Sequence, residues 1–280
     1  MNKAQQQLIR LYLDNLQVRV TEMGYKQVLT DWRDLDYTPD YNKFYLICDG
    51  EGWLKIGDKE YAPKPGQWFL MPQGVKQSYS YTSGPRFTKY WCHFTAKVGE
   101  NNLFNLLNLP VFLDSGGDGE PQRLFRELLS CEAGTTMTAP LLIKAAMMKL
   151  IAYYVEHAAA SEAGVEPAAA SMPLQAVIEY IHLNYDRNLT IDELAECAHL
   201  HPNYFIRVFK RHFGTAPIQY VNRKRIEEAK WLLTSTNLLL AEIGAKVGIP
   251  DVSYLSKLFK SSTGLSPTAY RLTHHPNNAP

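Results

Sequence analysis

Hydrophobic and polar positions alternate in two distinct rhythms along the chain. From about Gly24 to Ala96, short aromatic and β-branched runs are interrupted by turn dipeptides. In KFYLICDGEGWLKIGDKEYAPKPGQWFLMPQG these are Asp-Gly, Gly-Asp and Pro-Gly. Turn signals at a spacing of roughly 8 to 12 residues predict a β sandwich or barrel. The period then lengthens. PQRLFRELLSCE and LLIKAAMMKLIAYYVEHAAA are helical in pattern, and Leu141, Ala145, Met148, Ala152 and Val155 recur at alternating steps of four and three. The segment His157 to Pro173 is rich in small residues and has no apolar period. It suits a linker over 158–172, although its alanines equally suit an extension of the preceding helix. Everything beyond reads as helix punctuated by Gly and Pro, up to a terminal THHPNNAP expected to fray.

One pattern occurs twice in the helical part. NYFIRVFKRHFGTAPIQY, Asn203 to Tyr220, returns as SYLSKLFKSSTGLSPTAY, Ser253 to Tyr270, with aromatic, Phe-Lys, Gly, Pro and Tyr positions matched. Ahead of the first copy, Thr190 and Glu193 have capping-box spacing, and Ile191, Leu194, Ala195 and Ala198 make one apolar face. A break at His199 to His201 follows, and Pro202 opens a second helix with Phe205, Val208 and Phe209 inward and Gly214 as its stop. Two short helices joined by a tight turn are the helix-turn-helix pattern. The second copy has Ile243 and Val247 inward, a turn through Gly248 and Pro250, Asp251 as N-cap, and Leu255, Leu258 and Phe259 inward. Ala195 and Ala245 are the expected small residues where the paired helices cross. Between the copies, PIQYVNRKRIEEAKWLL predicts one helix of about 17 residues, or roughly 25 Å. Such a strut suits two readers set near the ~34 Å repeat of the major groove.

The outward faces of the second helices carry fitting chemistry. Asn203, Ile206, Arg207 and Lys210 share a face in the first copy, and Ser253, Ser256, Lys257 and Lys260 share it in the second. Arg and Lys donate to guanine, Asn and Ser reach base edges, and an aliphatic tip meets a thymine methyl. Lys210, Arg211 and Lys260 are better placed for phosphates. The first copy presents the richer set and is expected to carry more of the sequence specificity. Charge agrees with this division of labour. Residues 173–280 hold 12 Lys and Arg against 9 Asp and Glu, whereas residues 1–172 hold 17 against 19.

The DNA-binding region resembles that of AraC/XylS-type transcription regulators. Over residues 174–272 the resemblance rests on Ala245, Gly248, Asp251, Ser253, Tyr254, Phe259, Lys260, Gly264, Pro267, Tyr270 and Arg271. Ile249 stands where that family most often has an aromatic residue. The front part is similar to the cupin-like jelly roll that precedes this unit in many members, through GEGWLKIGDKEY, PKPGQWFLMPQGV and KYWCHF. The resemblance implies a small-molecule effector, no cofactor, and dimerisation helices over 121–157. It further implies a homodimer on promoter or operator DNA, with RNA polymerase as a candidate partner.

Many cupins are metal enzymes that use several histidines, so the same resemblance also allows an enzyme. Here Gln77 occupies the usual His position, no His-x-His occurs upstream, and His93 is the only histidine before residue 157. A multi-histidine site is therefore not expected, nor are catalytic residues. Trp53, Trp68 and Trp91 offer flat faces for a ligand, although aromatics in a sandwich also serve as core. Arg33, Lys89, Gln77 and Tyr79 offer groups that orient hydroxyls or a carboxylate. In sugar-sensing members a Trp in the segment matching KYWCHF stacks on the sugar, which by resemblance singles out Trp91. The expected effector is a carbohydrate, with an aromatic or other small organic acid as the alternative.

Four scattered cysteines, Cys48, Cys92, Cys131 and Cys197, suggest neither a disulfide framework nor a zinc site. The N-terminal stretch lacks a signal-peptide core, and the most apolar run contains Lys144 and Lys149. The expectation is a cytoplasmic protein without membrane spans. Its fold would be two-domain α+β: an effector-binding and dimerisation domain over 1–157, a linker over 158–172, and an all-α double helix-turn-helix over 173–273.

Overall fold

The computed structural model describes residues 3–29, 32–80, 85–115, 117–132, 136–161, 164–168 and 172–274. The expected fraying of residues 275–280 lies outside them, as do 162, 163 and 169–171 of the expected linker. The chain divides into two compact units, a front one built on Ile9–Ala169 and a rear one on Ala170–Pro280 together with Asn2–Leu8, so that the first helix is shared between them.

Helix α1 (Lys3–Asp14) leads into the front unit's β1 (Leu16–Gln27), β2 (Arg33–Tyr37), β3 (Asn42–Asp49), β4 (Trp53–Ile56), β5 (Lys59–Tyr61), β6 (Gln67–Met71), β7 (Gln77–Ser80) and β8 (Thr88–Val98). The short elements β9 (Asn101–Asn102), α2 (Leu103–Leu106), β10 (Leu107–Asn108) and β11 (Phe112–Asp114) follow. Then come the helices α3 (Glu120–Glu132) and α4 (Ala139–Ala160) and the strand β12 (Glu166–Pro167). One sheet has the order β1-β8-β3-β6-β11, with β9 on β8, and the other β2-β7-β4-β5. The named strand pairs are antiparallel, which gives the expected β sandwich. Gly57 and Asp58 close the two-residue hairpin from Ile56 to Lys59. Gly57 alone takes a positive φ, 60°, as a type II′ turn requires.

The β region starts earlier than the sequence suggested, at Leu16 rather than near Gly24. Leu16, Val18 and Val20 alternate with Gln17 and Arg19 and pair with Val98, Ala96 and Phe94. A bulge between Val20 and Glu22 then reverses the faces, so that Glu22, Gly24 and Lys26 pair with His93, Trp91 and Lys89. Strand β3 is buried over most of its length, which explains its nearly unbroken apolar reading. Tyr45 and Ile47 join the core between the sheets with Leu54, Phe69 and Phe87. Phe44 turns to the other face, where it stacks on Tyr154 of α4 at 5.1 Å.

The stripe read from the heptad steps is not the face that α4 buries. Met147, Leu150, Ile151, Tyr154 and Ala158 are buried, whereas Leu141 is 68 % exposed and Ala145 and Ala152 face out. Val155 alone of that stripe is fully buried, and Met148 is half-buried. A helix this apolar carries two apolar stripes, and the sequence did not say which one meets the sheet. Part of the expected linker is tied down, because α4 runs to Ala160 and β12 pairs with β10.

The rear unit is helical throughout: α5 (Met172–Asn184), α6 (Ile191–Cys197), α7 (Pro202–Phe213), α8 (Pro217–Ser235), α9 (Leu240–Lys246), α10 (Val252–Thr263) and α11 (Pro267–His274). The front β sandwich and this helical unit make the two-domain α+β fold that was expected. The repeat extends to its packing. Phe209 meets Tyr220 edge-on at 5.9 Å, and fifty residues later Phe259 meets Tyr270 at 5.3 Å. Gly214 and Gly264 close α7 and α10 in the left-handed conformation. Thr190 accepts the Glu193 N–H at 3.2 Å, but the Glu193 carboxylate is held chiefly by Arg187 and the Tyr180 hydroxyl.

The crossing residues need correction. Ala195 is buried as expected, but Ala245 is exposed and Gly244 occupies the crossing. Leu200 N–H bonds Ala195 O at 2.9 Å, and Ile249 N–H bonds Gly244 O at 2.8 Å. The first helices are thus offset by 49 residues and the second helices by 50. The second turn contains one extra residue, and a count of fifty from Ala195 falls one position late.

Candidate functional site

Antiparallel pairing brings together side chains that are far apart in sequence. Residues of β8 alternate between faces, so Lys89, Trp91 and His93 point between the sheets, as do their β3 neighbours Ile47, Tyr45 and Lys43. Of these, Tyr45, Lys89, Trp91 and His93 join Lys26 of β1, Arg33 of β2, Tyr79 of β7 and residues between β1 and β2 to line a cavity of about 330 Å³. Its wall consists of Val28, Leu29, Trp32, Tyr45, Tyr79, Trp91 and His93, with Lys26, Arg33 and Lys89 as the cations. Trp32 stacks on Tyr79 with centroids 4.4 Å apart. Trp91 lies flat on its cross-strand partner Gly24, where a Cβ would come within 2.9 Å of the indole nitrogen. Any side chain at position 24 would push the ring out of place.

The electrostatics are unusual for so buried a lysine. Lys89 is 4 % exposed, and its Nζ lies 3.3 Å from the Tyr45 ring centroid and 4.0 Å from that of Trp32. Burial first, and the neighbouring Lys43 second, hold its pKa well below the ordinary lysine value. Lys43 lies 4.9 Å from the centroids of both Tyr37 and Tyr79, and burial lowers it to about 8 against a smaller opposing pull from Asp34. His93 is lowered to about 3 by burial, then by Lys43 and Lys89. Its Nδ1 is 3.1 Å from the Glu22 carboxylate, but Glu22 is 64 % exposed and its field is screened by water. A neutral imidazole beside a carboxylate must donate from Nδ1. Nε2 is then a bare acceptor, and it is buried without a protein partner.

Four of the six sequence-derived ligand candidates line this cavity: Trp91, Lys89, Tyr79 and Arg33. Trp53 and Gln77 do not. The Trp53 indole donates to Glu60 across the β4–β5 pair at 3.0 Å, and Gln77 donates to the Pro72 carbonyl at 2.9 Å. Trp68 is core on the opposite face of the sheet, against Phe125 and Tyr154.

In the helical unit, α7 exposes Asn203, Arg207, Lys210 and Arg211 and half-buries Ile206, while α10 exposes Ser253, Lys257 and Lys260 and half-buries Ser256. Asp251 caps α10 by accepting from Ser253 N at 2.8 Å and Tyr254 N at 3.0 Å. Two arginines tie the segments ahead of the two motifs to neighbouring helices. Arg225 of α8 bonds the Tyr185 and Arg187 carbonyls at 2.7 Å, and Arg271 of α11 bonds those of Leu233 at 3.2 Å and Leu238 at 2.6 Å. Helix α8 has 19 residues, about 28 Å at 1.5 Å each.

Known families match both units. A helix-turn-helix domain profile matches residues 194–273, and an AraC-like ligand binding domain profile matches residues 37–151. The chain belongs to the AraC family of transcription regulators. It is 26 % identical over 237 residues to the arabinose operon regulatory protein of Escherichia coli, covering 81 % of this chain and 78 % of that one. To the lactose operon transcription activator of Staphylococcus xylosus it is 23 % identical over 238 residues, covering 82 % and 83 %. To the uncharacterized regulator YisR of Bacillus subtilis it is 29 % identical over 256 residues, covering 82 % and 86 %. It is a DNA-binding transcription regulator with an N-terminal ligand-binding domain.

Several features of this AraC-family chain were not read from the sequence. Trp32 and Tyr45 form the wall around Lys89, Gly24 seats Trp91, and His93 offers a free acceptor. The lone glycine inside an otherwise continuous strand was the available signal for Gly24. Tyr204 and Tyr254, fifty apart, are each 49 % exposed near the starts of α7 and α10. Their matched positions in the repeat mark them as well. No helix among the described residues is long and apolar enough to cross a membrane.

Proposed function

We propose that a small organic effector, occupying the cavity between the sheets, biases how a homodimer sets its paired helix-turn-helix motifs on promoter DNA. The observation that carries this reading is the cavity itself. It has flat aromatic faces and a few convergent polar groups, and its volume is at the small end of the ~300–1,000 Å³ usual for ligand sites. Two relatives are by name regulators of lactose and arabinose operons, which favours a sugar or close sugar derivative over an unrelated ligand. A small organic acid is the second reading, favoured by Lys89 and Arg33 on the wall.

The mechanism is a population shift, in which an effector binding one arrangement of the dimer more tightly draws the ensemble towards it. The outward stripe of α4 supports self-association. Asn203, Ile206, Arg207, Ser253, Ser256 and Lys257 are the proposed base readers, with Lys210, Arg211 and Lys260 on phosphates. The organisation is an effector and dimer domain over 1–157, a connection over 158–172 and a DNA-binding domain over 173–273. The pairing of β12 with β10 favours a free tether shorter than that span. RNA polymerase is the further partner of such a regulator, and the cytoplasm its location. Thermal unfolding with a panel of sugars and small acids tests the pocket. Any compound that raises Tm should lose its effect in Trp91→Ala, and a retained shift would put the ligand elsewhere.

A further inference from the structure

The cavity wall carries three basic side chains, Lys26, Arg33 and Lys89, and no acidic one among its described residues. Lys26 and Arg33 are exposed at the rim, but Lys89 is almost fully enclosed. A buried ammonium ordinarily has a carboxylate partner. Among the described residues Lys89 has only the faces of Tyr45 and Trp32, and no carboxylate among them forms a salt bridge with it. Near it on the same strand, the buried Nε2 of His93 waits for a hydroxyl or N–H donor. Among the described residues, a buried amine without an anion and an acceptor without a donor thus share one aromatic wall.

From this we infer that the effector is a small hydroxylated acid, with its carboxylate set against Lys89, a hydroxyl donating to His93 Nε2, and its body on the Trp91 ring. The inference rests on the pocket reading above and narrows it to a class of ligand. A neutral sugar would leave the buried Lys89 amine without an anion, whereas a carboxylate supplies one. Proton linkage follows. Burial and Lys43 disfavour the charged form of Lys89, and a carboxylate set against it would restore that form. The other titratable groups around it are His93 of β8, Tyr45 and Lys43 of β3, Tyr79 of β7, Lys26 of β1 and Arg33 of β2. Lys43 is lowered to about 8, and its deprotonation there would ease the protonation of Lys89 rather than oppose it.

The test uses the full chain and matched pairs: galacturonate against galactose, glucuronate against glucose, and 4-hydroxybenzoate against 4-hydroxybenzyl alcohol, with glucose 6-phosphate as the phosphate arm. Affinities come from calorimetry and thermal stabilisation. In at least one pair the acid is expected to bind about 10- to 100-fold more tightly than its neutral partner. In Lys89→Met, which keeps the volume and removes the charge, that ratio should fall to about twofold or less. Wild-type affinity for the acid should also decline from pH 7 to pH 9 while any neutral binding stays flat, a measurement that needs no variant to fold. Equal binding within every pair, or an unchanged ratio in Lys89→Met, overturns the inference. So does stronger binding of glucose 6-phosphate than of glucuronate. If acid and neutral members bind alike and Trp91→Ala abolishes both, the pocket reading survives and only the acid falls. Stabilisation by no member of the set overturns both.

Discussion

The Gly244 carbonyl accepts the Ile249 N–H at 2.8 Å, and a Cβ on Gly244 would stand 2.5 Å from the Ile249 carbonyl oxygen. Backbone of a tight turn cannot yield as a side-chain tip can. Gly244→Ala should therefore destabilise the helical unit by about 1–3 kcal/mol, the usual cost of overpacking. Its neighbour Ala245 is exposed, and Ala245→Ser should stay within about 0.5 kcal/mol of wild type. Urea unfolding of the full chain measures both. If the two substitutions cost the same, Gly244 is not the crossing residue.

How much of this was legible in the sequence depended on whether the signal was local. The Asp251 cap, the stops at Gly214 and Gly264 and the inward Phe205, Phe209, Leu255 and Phe259 are local features that the structure bears out. Glu193 of the expected capping box instead turns to Arg187 and Tyr180. The cavity is not local. It depends on cross-strand register, on the bulge at Val20/Glu22 that turns Gly24 and Lys26 inward, and on a second sheet that presents Tyr79. Trp91 and Lys89 were identified, but Trp32, Tyr45 and His93 were not, since no short-range pattern distinguishes a cavity-lining aromatic from a core one. Trp53 and Gln77 show the same limit from the other side. In α4 two apolar stripes compete, and only the position of the sheet decides between them.

Specific DNA binding should depend on both motifs, and unequally. Arg207 and Lys257 are exposed at matched positions of α7 and α10, but α7 adds Asn203 and Ile206 where α10 offers Ser253 and Ser256. Arg207→Ala should cost about 1–3 kcal/mol and relax the base preference, and Lys257→Ala should cost less. Lys210→Ala and Lys260→Ala should weaken all sequences alike and reduce the salt slope by about 1 each. Mobility shifts on the promoter region beside its own gene, repeated at several salt concentrations, separate these effects. Equal loss of specificity from the α10 substitutions would contradict the asymmetry.

Acid should unfold the front unit partly through His93. Its pKa is about 3 in the folded protein against 6.5 as the ordinary value. Between those pH values the unfolded chain binds the extra proton, so stability is full above 6.5 and is lost as the pH falls towards 3. At pH 5 the loss from this residue alone is up to about 2 kcal/mol. His93→Gln cannot take up the proton and should show a smaller drop in urea midpoint from pH 7 to pH 5. An identical drop in both proteins would mean that other groups govern the acid transition.

The outward stripe of α4 makes the last prediction. Leu141 and Leu142 are 68 % and 51 % exposed, and Ala145 and Ala152 continue the face, while the opposite side of the same helix fills the core with Met147, Ile151 and Tyr154. Exposed Leu beside small residues on a long helix suits a helix from a second copy, because alanines let backbones approach and leucines fill the gaps between them. Leu141→Asp with Ala145→Asp should therefore convert dimer to monomer in sedimentation at micromolar concentration, with front-unit stability changed by less than about 1 kcal/mol. Charge on a solvated face costs little, whereas two carboxylates per protomer in a closed helix pair repel and lose hydration. The discriminating control is Ile151→Ala, on the buried side, which should lower stability by about 2–4 kcal/mol and leave the folded fraction dimeric. A double-aspartate variant that still sediments as a dimer would put the interface elsewhere.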